Sequence, residues 1–434
     1  MAPHDSIGAE MYGWARDLFP IMRSLSGPGV RQTLNYLGDL LPGLHIGEVA
    51  SGSQCFDWTV PDEWSFRAAW IEDEDGRRII DAAHCNLHVV NYSEPVDRWL
   101  SLEELQSHLY SLAEQPDAIP YVTSYYRRHW GFCLSQTQRD ALKPGRYRAV
   151  IDADLAPGRL NYAELILPGR ETDEILLSTY VCHPSMANNE LSGPVVATAL
   201  ARWLMGRERR FTYRILFLVE TIGSIAYLSR HGEHMKRHTK AGFVLSCVGD
   251  DRAYSFLPSR RGDTLADRVA RRALRDQVGD QWKSYSFLQR GSDERQYCSP
   301  LMDLPVALMM RSKFGEYPEY HTSKDDLGVI SPHGLAGSFT LYSHAITLLE
   351  GNDFVRATQP CEPQLGKRGL YPTVSTRDSY KVAQAMVDVL AHADGRLDIL
   401  DLADAIDQNA GTVLDICATL EREGLLIRQP APFT

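Results

Sequence analysis

The order of apolar and amphipathic segments after residue 160 limits the fold more than any other feature of the chain. Residues 174–181 (EILLSTYV), 213–220 (YRILFLVE) and 241–249 (AGFVLSCVG) are short apolar runs, as in strands buried on both faces. A segment with helical spacing follows each run, and a fourth strand, PVALMMRS, precedes a long apolar helix. This alternation predicts an α/β fold with a parallel sheet covered by helices on both sides.

The rest of the chain differs from this pattern and suggests three domains. We assign residues 1–45 and 151–355 to the α/β domain. Residues 46–150 hold short β-branched or aromatic segments between turn residues (GEVASG, FDWTVP, RRIIDA and NLHVVNYS), which predict an inserted, mostly β module. One helix is expected there, where Ser101 and Glu104 match a capping box.

The C-terminal segment has the element order of a winged-helix domain, which we place at residues 372–434. A Pro- and Gly-rich linker, QPCEPQLGKRGLYPTVS, precedes it. Three short helices are expected near 377–393, 398–406 and 410–424, followed by a strand, LLIRQ. The candidate recognition helix carries Asp415, Glu421 and Glu423 against one Arg, whereas a helix that faces phosphates is basic. Nucleic acid is therefore a poor candidate partner, and either self-association through this domain or its packing over the active-site edge fits better.

Composition narrows the class of protein. The chain has 434 residues, of which 44% are hydrophobic and 23% charged, as in a globular protein of two or three domains. Its net charge of −11 also disfavours nucleic acid. No apolar run approaches the roughly 20 residues of a membrane span, so no membrane partner is expected. The eight cysteines include no C-x-x-C pair and the first residues resemble no secretory signal, so we expect a cytoplasmic protein with reduced thiols.

Polar residues follow each of the four predicted strands. His183, Glu220 and Asp250 come after the first three, and His321 lies in EYPEYHTSKDD after the fourth. Parallel strands end at one edge of a sheet, so these side chains are expected to converge. Two His with carboxylates form the ligand set of hydrolytic zinc sites, and a Glu that is not a ligand can activate water as a base. Each residue taken alone could instead be a hydrogen-bonded loop residue or an ion-pair member.

Several motifs resemble those of the M28 zinc aminopeptidases. EYHTSKD is similar to the segment in which that family has a zinc-binding His, ANNELSGP to its bridging-Asp segment, VETIGS to its Glu-Glu segment and GSDERQY to its Ser-Asp-His loop. The chain resembles the DUF4910/DUF2172 branch of M28-like proteins along nearly its whole length, in motifs that include FDWTVP, IPYVTSYY, CHPS, ETIGSIAYLS and GSDERQYC. This resemblance implies a zinc-exopeptidase-type mixed sheet with an inserted β module and a C-terminal winged helix.

The resemblance also implies roles for individual residues. It makes His183 and His321 zinc ligands, Asp250 a carboxylate ligand and Glu220 the general base. Substrate contacts are expected from three residues, Asp293, Glu294 and Tyr320.

Two positions depart from the family pattern. Asn189 occupies the position of the family's bridging Asp, so the neighbouring Glu190 is the alternative metal ligand. Thr221 occupies the position of the family's second Glu. One zinc is expected, and a second ion is less well supported because these two carboxylates are missing.

Two main functions are consistent with the sequence. One is a zinc-dependent hydrolase of a peptide or amide bond, with a small peptide or amino-acid conjugate as substrate. The other is a non-hydrolytic binding protein on a degenerate peptidase fold. The aromatic stretch IPYVTSYYRRHWGFC fits either a substrate pocket or the core of the β module.

Overall fold

The computed structural model describes residues 3–370 and 377–432. The chain divides into two compact units. The first comprises Met1–Ala266 and Lys283–Phe339, and the second comprises Asp267–Trp282 and Thr340–Thr434. The domain boundaries expected from the sequence stay a prediction. Within the described residues, no helix is long and apolar enough to cross a membrane.

The helices and strands of the described residues are numbered in chain order. The helices are α1 (Pro3–Leu18), α2 (Pro28–Leu40), α3 (Leu102–Gln106), α4 (Gln136–Asp140), α5 (Ser192–Met205), α6 (Ile222–His238), α7 (Leu265–Val278), α8 (Glu294–Tyr297), α9 (Pro332–Gly351), α10 (Arg377–His392), α11 (Ile399–Ala405) and α12 (Ala410–Arg422). The strands are β1 (His45–Ala50), β2 (Gln54–Cys55), β3 (Trp58–Thr59), β4 (Glu63–Asp73), β5 (Arg78–Asp81), β6 (Val96–Ser101), β7 (Leu109–Tyr110), β8 (Phe132–Cys133), β9 (Arg146–Ala156), β10 (Arg159–Leu167), β11 (Glu174–Tyr180), β12 (Thr212–Leu218), β13 (Thr239–Val244), β14 (Ser255–Leu257), β15 (Lys283–Ser284), β16 (Val306–Met310), β17 (Phe354–Ala357), β18 (Asp394–Asp398) and β19 (Leu426–Gln429).

The first unit is built on an eight-stranded mixed sheet in the order β1-β10-β12-β11-β13-β16-β14-β15. Strands β12, β11, β13 and β16 are parallel neighbours, and antiparallel pairs join β10 to β12 and β14 to β16. All seven residues of β11 and all five of β16 are buried, which explains their continuous apolar sequences. The predicted α/β fold with a mixed sheet is confirmed.

A second sheet lies mainly within the stretch predicted as the β module, and its strand β9 continues past residue 150 to Ala156. The sheet is antiparallel, in the order β5-β4-β9-β6, and its core includes Trp64, Ile71, Phe132 and Tyr147. The predicted capping box of Ser101 is present at the start of α3, although that helix has only five residues.

Two strands expected in this module are placed differently. The GEVASG segment contributes β1, which pairs with β10 in the central sheet and buries Gly47 and Val49. The NLHVVNYS segment forms a 3-10 turn at Asn86–His88 instead of a strand. The backbone N–H groups that follow donate hydrogen bonds to two different segments, Val90 N–H to the Gly131 carbonyl and Asn91 N–H to the Val122 carbonyl. The segment therefore forms no continuous strand ladder.

The second unit contains α10, α11 and α12 and an antiparallel sheet in the order β18-β17-β19. These three helices lie where the sequence predicted them. Residues 371–376 of the predicted linker lie outside the described residues. Within this unit, acidic side chains near α11 pair with arginines of α7: Arg268 binds Asp398 and Arg272 binds Asp404, each at 2.7 Å.

Candidate active site

Strained backbone marks the edge of the sheet where the parallel strands end. Ser185, Thr221 and Cys247, which follow β11, β12 and β13, all have positive φ, and so does His321. Non-glycine residues pay a conformational cost in this region and persist there only when the surrounding structure holds them. The strain therefore coincides with the polar residues that the sequence placed at this edge.

Two histidines far apart in sequence meet at this edge. The ring centroids of His183 and His321 are 5.4 Å apart. Tyr121, from the stretch predicted as the β module, packs against both rings at centroid distances of 5.2 and 5.3 Å, and Tyr320 stacks on His321 at 3.8 Å. Burial lowers the pKa of both imidazoles to about 3, so each is neutral and able to bind a metal.

The backbone around Tyr121 is tied to the loop of His321. The Tyr121 N–H donates to the His321 carbonyl at 2.9 Å, and Ile119 and Ser323 exchange two further hydrogen bonds. The aromatic stretch thus supplies a wall of the site with Tyr121, while Trp130 and Phe132 belong to the β core. The β-core interpretation therefore holds for Trp130 and Phe132, and a role of this stretch in a substrate pocket stays a prediction.

We call the surroundings of the His183 Nδ1 atom the inner side; it consists of Arg23, Cys182 and Glu190. Glu190 Oε2 lies 2.8 Å from Nδ1, and the Arg23 guanidinium lies 3.9 Å from Glu190 Oε1. Arg23 also donates to the His183 carbonyl at 3.0 Å. Burial raises the pKa of Glu190 to about 8, an effect that the Arg23 charge opposes. When Glu190 is ionised, as a bound metal ion favours, its carboxylate accepts a hydrogen bond from a protonated Nδ1, which leaves Nε2 free for a ligand.

We call the surroundings of Nε2 the outer side; it consists of Glu220, Asp293, Thr221 and Arg295. Glu220 Oε2 is 3.8 Å from Nε2. Asp293 Oδ1 accepts hydrogen bonds from Thr221 N and Ser224 Oγ, both at 2.8 Å. Its Oδ2 is buried and has no partner among the described residues. Burial, and then the nearby Asp293 charge, raises the pKa of Glu220, and burial raises that of Asp293.

The two sides offer different metal sites. On the inner side, ligand atoms of Cys182, His183 and Glu190 all lie within 4.8 Å of one another, and no other three such donors in the described part of the chain are this close. However, the Arg23 charge already occupies this side, and burial raises the pKa of the Cys182 thiol well above its usual value. Each side has a buried carboxylate oxygen without a hydrogen-bond partner among the described residues, Glu190 Oε1 on the inner side and Asp293 Oδ2 on the outer side. The outer side also has the Nε2 atom of His183, but its donors must draw together to share one ion.

Other residues singled out by the sequence have their polar atoms engaged elsewhere. Asp250 accepts hydrogen bonds on both oxygens, from Ser312 and from two further donors, Asn188 and the Arg252 N–H. The Glu294 carboxylate accepts from backbone N–H groups of the preceding turn. The assignments of Asp250 as a ligand and Glu294 as a substrate contact stay predictions, and these hydrogen bonds compete with both roles.

Sequence reasoning missed Arg23, Cys182 and Arg295. Cys182 and Arg295 lie inside the CHPS and GSDERQYC motifs next to assigned residues, so their positions offered a signal. Arg23 follows α1 and carries no local pattern that would link it to Glu190. In the structure, the polar atoms of the Asn189 side chain lie near the sulfur atoms of Met186 and Cys247. They form no hydrogen bond with the described candidate ligands His183, Glu190, Asp250 or His321.

Comparisons with known proteins agree with this architecture. The model of a family described as a domain of unknown function, DUF4910, matches residues 12–352, and a winged helix-turn-helix model matches residues 353–428. A curated relative from Clostridium acetobutylicum, a putative polysaccharide biosynthesis protein with aminopeptidase-like domain, is 41% identical over 398 residues, which cover 91% of each chain.

Solved structures extend the comparison. A putative peptidase from Clostridium acetobutylicum is 39% identical, with a TM-score of 0.92 over 98% of this chain and 97% of that one. The zinc aminopeptidase BSAP from Bacillus subtilis is 12% identical, with a TM-score of 0.58 over 79% of this chain and 94% of that one. At this low identity, the likeness to BSAP shows a shared fold.

Proposed function

This chain belongs to the DUF4910 family, and from that premise we propose that it is a zinc-dependent hydrolase of a peptide or other amide bond. The observation that carries the proposal is the meeting of His183 and His321 beside Glu220 at the carboxyl edge of the sheet. Neutral imidazoles next to carboxylates are the donors that zinc prefers in hydrolytic sites. The aminopeptidase-like fold of the solved relatives is in agreement.

The zinc would be held on the outer side. His183 through Nε2 and His321 supply the nitrogen donors, and the unpartnered Oδ2 of Asp293 supplies a carboxylate oxygen. When bound, zinc lowers the pKa of a coordinated water and polarises the amide carbonyl. Glu190 acts on this centre through His183, because its hydrogen bond to Nδ1 sets the orientation and basicity of the ring.

Glu220 is assigned as the general base. Its Oε2 lies too far from His183 Nε2 for a hydrogen bond, at 3.8 Å, so the imidazole does not occupy the oxygen that would accept a proton from water. The raised pKa of Glu220, caused by burial and by Asp293, allows the carboxyl group to hold that proton and pass it to the leaving amine. Tyr121 and Tyr320 line the two histidines and restrict access of bulk water.

A second function is favoured by one observation, the wide spacing of the outer-side donors. Together with Asn189 and Thr221 at two positions where M28 enzymes have carboxylates, this spacing fits a binding protein that uses the peptidase fold without hydrolysis. Metal content distinguishes the two functions, because only the hydrolase needs a tightly held ion.

The test is to produce tag-free protein with zinc, measure bound metal and assay a mixture of small peptides and amino-acid conjugates by mass spectrometry. His183→Ala and His321→Ala should each lose zinc and turnover. His84→Ala, which removes an exposed histidine, is the matched control and should change neither. Wild-type protein that carries no zinc above background and cleaves nothing would overturn the hydrolase assignment.

A further inference from the structure

We infer that Arg295 binds a free carboxylate of the substrate, next to the amide bond that is cleaved. This inference rests on the proposed function for the identity of the reacting bond. Its structural basis is independent of the metal, since it concerns a cationic side chain of the chain itself.

Arg295 is held at two points on the outer side. Its Nε donates to the Ser292 carbonyl at 2.9 Å, and its Nη2 donates to Thr221 Oγ1 at 2.8 Å. These bonds fix the plane of the guanidinium without using all of its five N–H groups. Because Thr221 directly follows Glu220, the charge is anchored one residue from the proposed base.

The guanidinium has no counter-ion of its own. Arg295 is half-buried and forms no salt bridge within 4 Å to any described residue, and both of its hydrogen bonds go to neutral oxygens. Glu220 and Asp293 lie close enough for its charge to lower their pKa values against the larger effect of burial, yet neither is hydrogen-bonded to it. The inner side is different, because there Glu190 faces Arg23 directly.

A half-buried guanidinium with unused donors is suited to a planar anion from outside the chain. Arginine binds carboxylates through two parallel hydrogen bonds, and the fixed plane of Arg295 reduces the entropy lost on binding. Phosphate is the other common partner of arginine. The carboxylates of Glu220 and Asp293 repel a phosphate dianion more strongly than a carboxylate monoanion, so the surroundings favour the carboxylate.

The position of Arg295 limits the length of the substrate. A carboxylate bound beside Thr221 lies near the base, so the scissile amide and the free carboxylate must be close neighbours in the substrate. Dipeptides and N-acyl amino acids satisfy this condition. The interior bonds of a long polypeptide do not, because no free carboxylate flanks them.

The experiment compares dipeptides with the corresponding dipeptide amides, in which the carboxylate is replaced by a neutral carboxamide. Wild type, Arg295→Met and Arg295→Lys are assayed for kcat/KM, with Arg290→Met as the control for removal of a nearby exposed arginine. We expect the wild type to prefer the free carboxylate by about 10- to 100-fold, as for a charge-assisted hydrogen-bonded pair. Arg295→Met should lose this preference, Arg295→Lys should keep part of it, and Arg290→Met should keep all of it.

The outcomes separate this inference from the proposed function. Hydrolysis of both substrate forms at equal rates would overturn the role of Arg295 and leave the hydrolase in place. If nothing is hydrolysed, binding of the same two compounds is measured by calorimetry. Binding of the free carboxylate form that is lost in Arg295→Met would then support the inference, and equal or absent binding of both forms would overturn it. Zinc content and melting temperature of each variant show whether the fold is retained.

Discussion

An arginine and at least one carboxylate lie on each side of His183, but they interact differently on the two sides. On the inner side, Arg23 and Glu190 are both fully buried and face each other across 3.9 Å, while Glu190 binds Nδ1. On the outer side, Arg295 donates hydrogen bonds to Ser292 and Thr221, and Asp293 Oδ2 has no hydrogen-bond partner among the described residues. On the inner side, the chain's own Arg23 faces the carboxylate of Glu190. On the outer side, we propose that zinc binds the carboxylate and that the substrate binds the arginine.

This difference explains how the two ring nitrogens of His183 have different roles, Nδ1 as a hydrogen-bonding atom and Nε2 as the proposed metal ligand. A buried carboxylate needs a positive or hydrogen-bonding partner, and Arg23 with the Nδ1–H group provides both on the inner side. Nε2 on the outer side is then the ring atom left for zinc. Each side can be changed separately, and the expected effects decrease from loss of the outer-side base to loss of the inner-side thiol.

Replacing the outer-side base should have the largest effect. Glu220→Gln keeps the shape of the side chain but cannot accept a proton, so turnover should fall about 10²- to 10⁴-fold while zinc stays bound. Turnover and zinc content are measured on the same preparation. A loss of zinc together with activity would make Glu220 a ligand, and unchanged activity would remove it from both roles.

Replacing the inner-side carboxylate should weaken zinc binding without abolishing it. Glu190→Gln removes the charge behind Nδ1, and loss of such an orienting partner typically lowers metal affinity about 10- to 100-fold. Competition with a chelator of known affinity measures the change, with His183→Ala as the reference for loss of a ligand. If Glu190→Gln loses zinc as completely as His183→Ala does, Glu190 is itself a ligand and the two sides are not distinct.

The stability of the zinc-free protein should decline as the pH rises from about 6.5 to 8. Burial raises the pKa of Glu190 to about 8, so the folded state retains a proton that the unfolded chain has already released. Stability from this group is present at low pH and is lost as the pH rises through 8, by about 1 to 2 kcal/mol over this window. Glu220, whose pKa burial also raises, adds to the decline in the same direction. His183 and His321, whose pKa values are lowered to about 3, act in the opposite direction but only below about 6.5.

Urea unfolding at several pH values tests this dependence. Glu190→Gln should make the curve flatter between pH 6.5 and 8, and saturating zinc should do the same in the wild type, because the bound ion favours an ionised Glu190. A stability that rises across this window in zinc-free protein would show that Glu190 is already ionised below it.

Removing the inner-side thiol should have the smallest effect. Cys182 Sγ lies 3.4 Å from His183 Nδ1, yet burial keeps the thiol protonated by raising its pKa, and Arg23 lies nearby. Cys182→Ala should therefore keep its full zinc content and lose about 1 kcal/mol of stability. Zinc loss in this variant would place the ion on the inner side and reverse the comparison.

Local patterns in the sequence were sufficient for the main elements. The apolar runs that became β11, β12 and β16 follow from burial on both faces, and the capping box at Ser101 follows from two residues three positions apart. The sequence pattern alone did not assign β1 to the correct sheet, because a strand with alternating burial has the same pattern in either sheet. Its pairing with β10 depends on the path of the chain between the two sheets.

The positions of His183, Glu220 and His321 after buried strands could be predicted from local sequence, since the composition of each strand and its polar end are local properties. Which atoms face one another depends on the folded arrangement of distant segments. In the sequence, helices α2 to α4 and strands β1 to β11 lie between Arg23 and Glu190. Tyr121 reaches the histidines through pairing of its backbone with the His321 loop. Buried charges and hydrogen-bond donors need partners, and those partners are often distant in the sequence. Local residue spacing therefore does not predict such contacts.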